Sequence, residues 1–144
     1  MPDPIRVAFV CVENANRSQM AEAFARMWGR QHDVAIESLS AGSKGGGVVN
    51  PKAIAAMQRL GYDMPAEGHQ SVHVDTLVGT KLDAAVTMGC GDSCPHLSAD
   101  RHLDWAIPDP KHLDEPQFDE VRDLIQSKVD ELLDEIRRSR SSSS

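Results

Sequence analysis

VAFVCVENANRSQMAEAF, residues 7–24, joins an apolar run to a helical pattern through a short polar loop. Ile5 to Val10 is apolar apart from Arg6 and carries β-branched Ile5, Val7 and Val10, which suits a buried parallel strand. Met20, Phe24, Met27 and Trp28 then fall at i, i+4, i+7 and i+8, one face of an α-helix. Residues 11–18 between them read Cys-Val-Glu-Asn-Ala-Asn-Arg-Ser, a C-x5-R-S loop. A strand-to-helix turn of this length directs several backbone N–H groups inward, a nest for a tetrahedral oxyanion. The helix adds its positive N-terminal end. Val12, Glu13, Asn14, Ala15, Asn16, Arg17 and Ser18 are the expected oxyanion-binding residues. The planar fork of Arg17 can hold two oxygens at once. The same groups favour the thiolate of Cys11, to which Ser18 can donate, so Cys11 is a candidate nucleophile beneath an anion cup. Elsewhere in a chain the same residues would be a buried cysteine and a surface arginine. Their place at a strand–helix seam is what favours the cup.

The pattern outside this stretch continues to alternate. Val34 to Leu39 reads as a second strand, and SAGSKGGGVV, residues 40–49, as a glycine-rich loop. Asn50 and Pro51 open a helix as N-cap and first helical residue, with Ile54, Met57 and Leu60 inward and Gly61 as the stop. Residues 69–79 read as a short helix or loop, Asp83 to Met88 as a third strand, and residues 89–95 as a turn or short helix. LDWAIPDP, residues 103–110, reads as a short strand entering a proline-bounded loop. Gln117 to Arg137 carries the strongest helical stripe: Phe118, Val121, Leu124, Ile125, Val129, Leu132, Leu133 and Ile136. Residues 1–137 are expected to form one α/β domain with a parallel sheet and right-handed crossovers, and 138–144 a disordered tail. Ligands of such sheets sit beyond the carboxyl ends of the strands. That rim would gather Cys11, the Cys90–Cys94 segment and Asp109.

The chain has 144 residues and a formal net charge of −7, which argues against a nucleic-acid or anionic-membrane binder. Its start lacks the basic and apolar regions of a secretory signal, and no apolar run reaches the length of a membrane span. A cytoplasmic monomer is the expectation. Three cysteines in such a setting suit catalysis or redox exchange better than a disulfide framework. None of the six histidines pairs with Cys11 in sequence, and two tryptophans and one tyrosine offer no stacking surface.

Two further groups have alternative readings. Asp109, in IPDPKHL, is either a general acid over the cup or a comfortable Pro-Asp-Pro turn residue. Cys90 and Cys94, in MGCGDSCPH, are a redox pair taking over oxidation from Cys11, metal ligands with His96, or small apolar residues of a loop.

FVCVENANRSQMAEAF resembles the start of the low-molecular-weight protein tyrosine phosphatase superfamily, and within it the arsenate reductases most closely. SAG, VNPKAIAAM, VTM…CP and W…DP follow in the order of the arsenate-reductase landmarks, to about residue 137. The resemblance implies a four-stranded parallel sheet flanked by helices, with Asp109 as the acid. It implies that Cys94, just before the proline, belongs to the thiol relay, and Cys90 also, with an offset in spacing. It implies no bound cofactor but an external thiol reductant: thioredoxin, or a low-molecular-weight thiol such as mycothiol or glutathione. Arsenate would be the substrate and phosphate a competing oxyanion.

Three positions depart from the pattern. Glu13 stands where relatives have glycine and must point away from an anion, and Asn16 stands where some have cysteine. Some relatives bind potassium near the loop. Asn14, Glu22 and Ser40 match its ligands, but Val72 stands where an aspartate is expected.

A cup of this kind accepts phosphate and arsenate alike, so the step after attack by Cys11 decides the chemistry. Hydrolysis of a phosphocysteine needs water and Asp109. A cysteine–arsenate adduct is resolved by a thiol, which Cys90 and Cys94 supply. Lys111, His112 and Leu113 after Asp109-Pro110 give an aryl ester nothing to stack on. The expectation is arsenate reduction through Cys11, Arg17, Asp109, Cys90 and Cys94. A phosphatase, arsenate transfer to an external thiol, and an oxyanion-sensing module without turnover are the alternatives.

Overall fold

The sheet is built around β1, Ile5–Cys11, in the computed structural model, which describes residues 3–89 and 97–142. β1 is apolar on both faces, so it must be covered on both. α1 (Arg17–His32) follows it, then β2 (Ile36–Gly42), α2 (Pro51–Gln58), a 3-10 turn at Val74–Leu77, β3 (Leu82–Thr87), β4 (Ala99–Asp104) and α3 (Glu115–Ser142). The four strands are parallel in the order β2-β1-β3-β4. Val7, Phe9 and Cys11 face Met20, Phe24 and Trp28 of α1 and the stripe of α3. Ala8 and Val10 face Ala41, Val74, Leu77 and Leu97 on the other side. The chain is therefore a single domain with a four-stranded parallel sheet flanked by helices. Among the described residues no helix is long and apolar enough to cross a membrane.

Four elements differ from the sequence reading. β2 starts at Ile36 and extends to Gly42, because it pairs with β1 in register from Ile5↔Ile36 to Cys11↔Gly42. Gly42 is required there: a Cβ would strike the Val12 carbonyl and lie 2.8 Å from the Asn14 amide. α2 keeps its expected cap, with Asn50 Oδ1 accepting from the Lys52 amide at 2.9 Å and Pro51 opening the helix. It ends at Gln58, however, leaving Leu60 outside it and exposed, while Ala53, Ala56 and Met57 form the buried face.

β4 is ADRHLD, an edge strand with alternating exposure, not the apolar LDWAIPDP. Trp105 and Ile107 of the latter are buried beyond the strand end. Charges on an edge strand block pairing with other sheets, which hides it from a hydrophobicity search. α3 continues past Arg137 to Ser142. Arg140 anchors its end by donating to the Asp3 and Pro4 carbonyls and to Asp83 Oδ2.

Candidate active site

Loop 11–16 is held open by its surroundings. The carbonyls of Cys11, Val12, Ala15 and Asn16 accept from the amides of Ser43, Lys44, Asn50 and Met20. Those of Glu13 and Asn14 accept from Ser71 Oγ and Gln19 Nε2. Six successive carbonyls are thus turned away from the loop's centre. All described peptide bonds are trans, so each following N–H points the opposite way, inward. Asn14 takes the left-handed conformation at φ 55°, which asparagine tolerates better than most residues and which closes the curve. The result is a concave array of backbone donors around the loop's centre.

Cys11 is buried at the base, with a free thiol. Its Sγ lies 2.9 Å from Ser18 Oγ. The direction of that bond follows from its neighbours. Gln19 Nε2 faces three oxygens, Asn14 O, Asn14 Oδ1 and Gln70 O, at 2.9–3.0 Å, so Gln19 Oε1 must accept from His69 Nδ1–H. The other ring nitrogen of a neutral His69 then accepts from the Tyr62 hydroxyl at 2.6 Å. Asn14 Oδ1 also accepts from the Val72 amide, so Nδ2 donates to Ser18 Oγ at 2.7 Å. Ser18 has its own proton left for the sulfur. Five donors point the same way, from Tyr62 to Cys11, and the last of them is aimed at the sulfur.

Arg17 opens α1 on the cup's rim and is mostly buried. Nη1 donates to the Ile107 carbonyl at 3.0 Å, and Nη2 lies 3.9 Å from Asp109 Oδ2. Gly89, at φ 86°, packs against the guanidinium so closely that a Cβ would lie 2.7 Å from Nη1. Asp109 is exposed, and its Oδ1 accepts from the Lys111 amide at 3.1 Å. The loop carrying it is anchored by buried Trp105 and Ile107, and by Lys52 Nζ bonded to the carbonyls of Lys111 and Leu113. Glu13 turns out of the cup to Lys111 Nζ, 3.3 Å away.

The structure therefore brings together Cys11, the loop, Arg17, Ser18 and Asp109. Cys90 and Cys94 lie outside the described residues. The arrangement presents a buried thiol beneath inward-facing N–H groups, with a carboxyl group beside the guanidinium.

The residues that match a potassium site do not fit one here. Glu22 Oε1 accepts from Ser40 Oγ at 2.7 Å, while Oε2 pairs with Arg26 Nη2 at 2.9 Å. Val72 supplies no carboxylate, and the Arg26 guanidinium already brings positive charge. Burial nevertheless pushes the Glu22 carboxyl above the usual glutamate range.

Gln19, Tyr62 and His69 escape the sequence reading. Gln19, Glu22 and Arg26 recur at i, i+3 and i+7, a polar stripe within a buried helix that could have marked the first of them. His69 and Tyr62 meet Gln19 only through the fold. Burial and Arg26 lower the His69 pKa from 6.5 to about 4. An unfolded chain takes up a proton below pH 6.5 that the folded one refuses. This part of the stability is complete above pH 6.5 and is lost as pH falls towards 4, at about 1.4 kcal/mol per pH unit. His69→Gln should flatten denaturant-measured stability between pH 6.5 and 5 by about one proton. An unchanged slope would mean His69 is not held neutral.

A model of the low molecular weight phosphotyrosine protein phosphatase family matches residues 6–142. The chain belongs to this family. Within the low molecular weight phosphatases it is 31% identical to the glutaredoxin arsenate reductase of Synechocystis sp., over 91% of this chain and 98% of that protein. Among solved structures, an arsenate reductase in the phosphate binding state aligns with a TM-score of 0.80 and 31% identity, covering 92% of this chain and 98% of that one. The Corynebacterium glutamicum thioredoxin-dependent arsenate reductase aligns with a TM-score of 0.71 and 27% identity, covering 96% of this chain and 65% of that one.

Proposed function

We propose that this chain reduces arsenate to arsenite. Arsenate sits in the cup on the amides of residues 12–18 and the Arg17 fork. The Cys11 thiolate attacks arsenic, and a proton from Asp109 lets one oxygen depart as water. The Cys90 thiolate then attacks the Cys11 sulfur. The sulfur–arsenic electron pair stays with arsenic, which leaves as arsenite, and a disulfide to Cys11 forms. The remaining thiol of the Cys90–Cys94 pair attacks that disulfide and frees Cys11. Two thiols are oxidised for each arsenic reduced from the +5 to the +3 state. An external dithiol of the thioredoxin class restores the pair, with a glutaredoxin or a low-molecular-weight thiol as the other donors in view.

The observation that carries this reading is the ring of outward-held carbonyls with Cys11 at its base and the Ser18 hydroxyl aimed at its sulfur. Gly89 supports the relay, since it lies against Arg17 and immediately precedes Cys90. The printed names of relatives, one a glutaredoxin and one a thioredoxin-dependent arsenate reductase, support the external thiol.

Cys94→Ser tests the relay. With thioredoxin and its reductase, steady-state arsenite formation should fall about 100-fold or more, while one arsenite per chain is still released in the first turnover. Undiminished steady-state activity of Cys94→Ser would remove the relay.

A further inference from the structure

The mouth of the cup is spanned twice by the loop that carries Asp109. On one side Arg17 holds the Ile107 carbonyl and faces Asp109. On the other, Lys111 Nζ meets Glu13 Oε1 at 3.3 Å, with both side chains about half exposed. Between these contacts the Lys111 amide holds Asp109 Oδ1. Arg17, Asp109, Lys111 and Glu13 are thus linked in series along the side of the cup that faces this loop. A phosphomonoester bound in the cup would set its alcohol group against this side, next to the carboxyl that would protonate the ester oxygen.

We propose that the Glu13–Lys111 ion pair is a selectivity bar, passing free tetrahedral oxyanions and turning away phosphomonoesters. The inference rests on reading loop 11–18 as an oxyanion cup and names which oxyanions it takes. The bar does not hold the acid loop itself. Ile107, Asp109 and Lys111 are fixed through backbone contacts that a Lys111 side-chain substitution leaves intact. A half-exposed pair gives a discrimination of at most about fivefold. It is also screened by salt.

The test measures how well phosphate and phenyl phosphate protect Cys11 from iodoacetamide at pH 7.5, a readout that needs no turnover. Lys111→Met, Glu13→Gln and the double variant are compared with the wild type. Charge changes at the mouth act on both anions together, so the ratio of the two protecting concentrations isolates the bar. The ratio should favour phosphate in the wild type. It should shift about three- to fivefold towards phenyl phosphate in all three variants. In the wild type, 0.5 M salt should produce most of the same shift. A ratio that stays within about 1.5-fold of the wild type in every variant overturns the bar. Failure of phosphate to protect the wild type removes the cup and the bar with it. Protection with an unchanged ratio removes the bar alone.

Discussion

Cys11→Ser should bring arsenite formation below detection, a loss of at least about 10⁴-fold, while phosphate still binds. The substitution exchanges sulfur for oxygen at a buried position that already faces the Ser18 hydroxyl, so the loop has no steric reason to move. Its six outward carbonyls are held by Ser43 and Lys44 just after β2, Asn50 before α2, Ser71, and Gln19 and Met20 of α1, not by the sulfur. A serine hydroxyl is far less ionised than a thiol near neutral pH, and one donor from Ser18 does not close that gap. Oxygen also cannot form the disulfide through which arsenic gains its electrons. Phosphate should therefore raise the thermal midpoint of Cys11→Ser and of the wild type alike. Arsenite production by the variant would place the nucleophile elsewhere.

Arg17→Lys is expected to lower kcat/KM for arsenate by about 10²–10³-fold. Arg17 uses one nitrogen on the Ile107 carbonyl and presents the other at the rim near Asp109. Lysine has the charge but only one nitrogen, so it cannot bond Ile107 and two oxyanion oxygens in one plane. Gly89 leaves no slack on the other side, because it packs directly against the guanidinium. A lysine would leave a gap there as well as a missing donor. Steady-state arsenite formation over a range of arsenate concentrations measures the loss. A decrease of less than about threefold would show that only the charge matters at this position.

What the sequence made legible is what local pattern controls. The seam of β1, loop and α1 is one contiguous stretch, and the expectation of an anion cup there comes from the spacing together with its place between strand and helix. The Asn50–Pro51 cap and the stripe of α3 are local in the same sense. Glu13 points outward because a carboxylate and an oxyanion repel, which needs no fold to foresee. The partner it finds, Lys111, lies far along the chain and needed one. The same holds for His69, whose ring reaches Gln19 across a separation of 50 residues. β4 escaped because an edge strand is polar for reasons of pairing, and the end of β2 because its glycine looked like a loop. Gly42 is instead the point where two strands and the cup's backbone approach too closely for a side chain.

The most direct test of the central claim uses the fully reduced protein with excess arsenate and no external reductant. Arsenite and free thiols are counted, and disulfides are mapped by mass spectrometry. The expected result is one arsenite per chain, two thiols lost, and a bond between Cys90 and Cys94. Retention of all three thiols with no arsenite would contradict an intramolecular reductase.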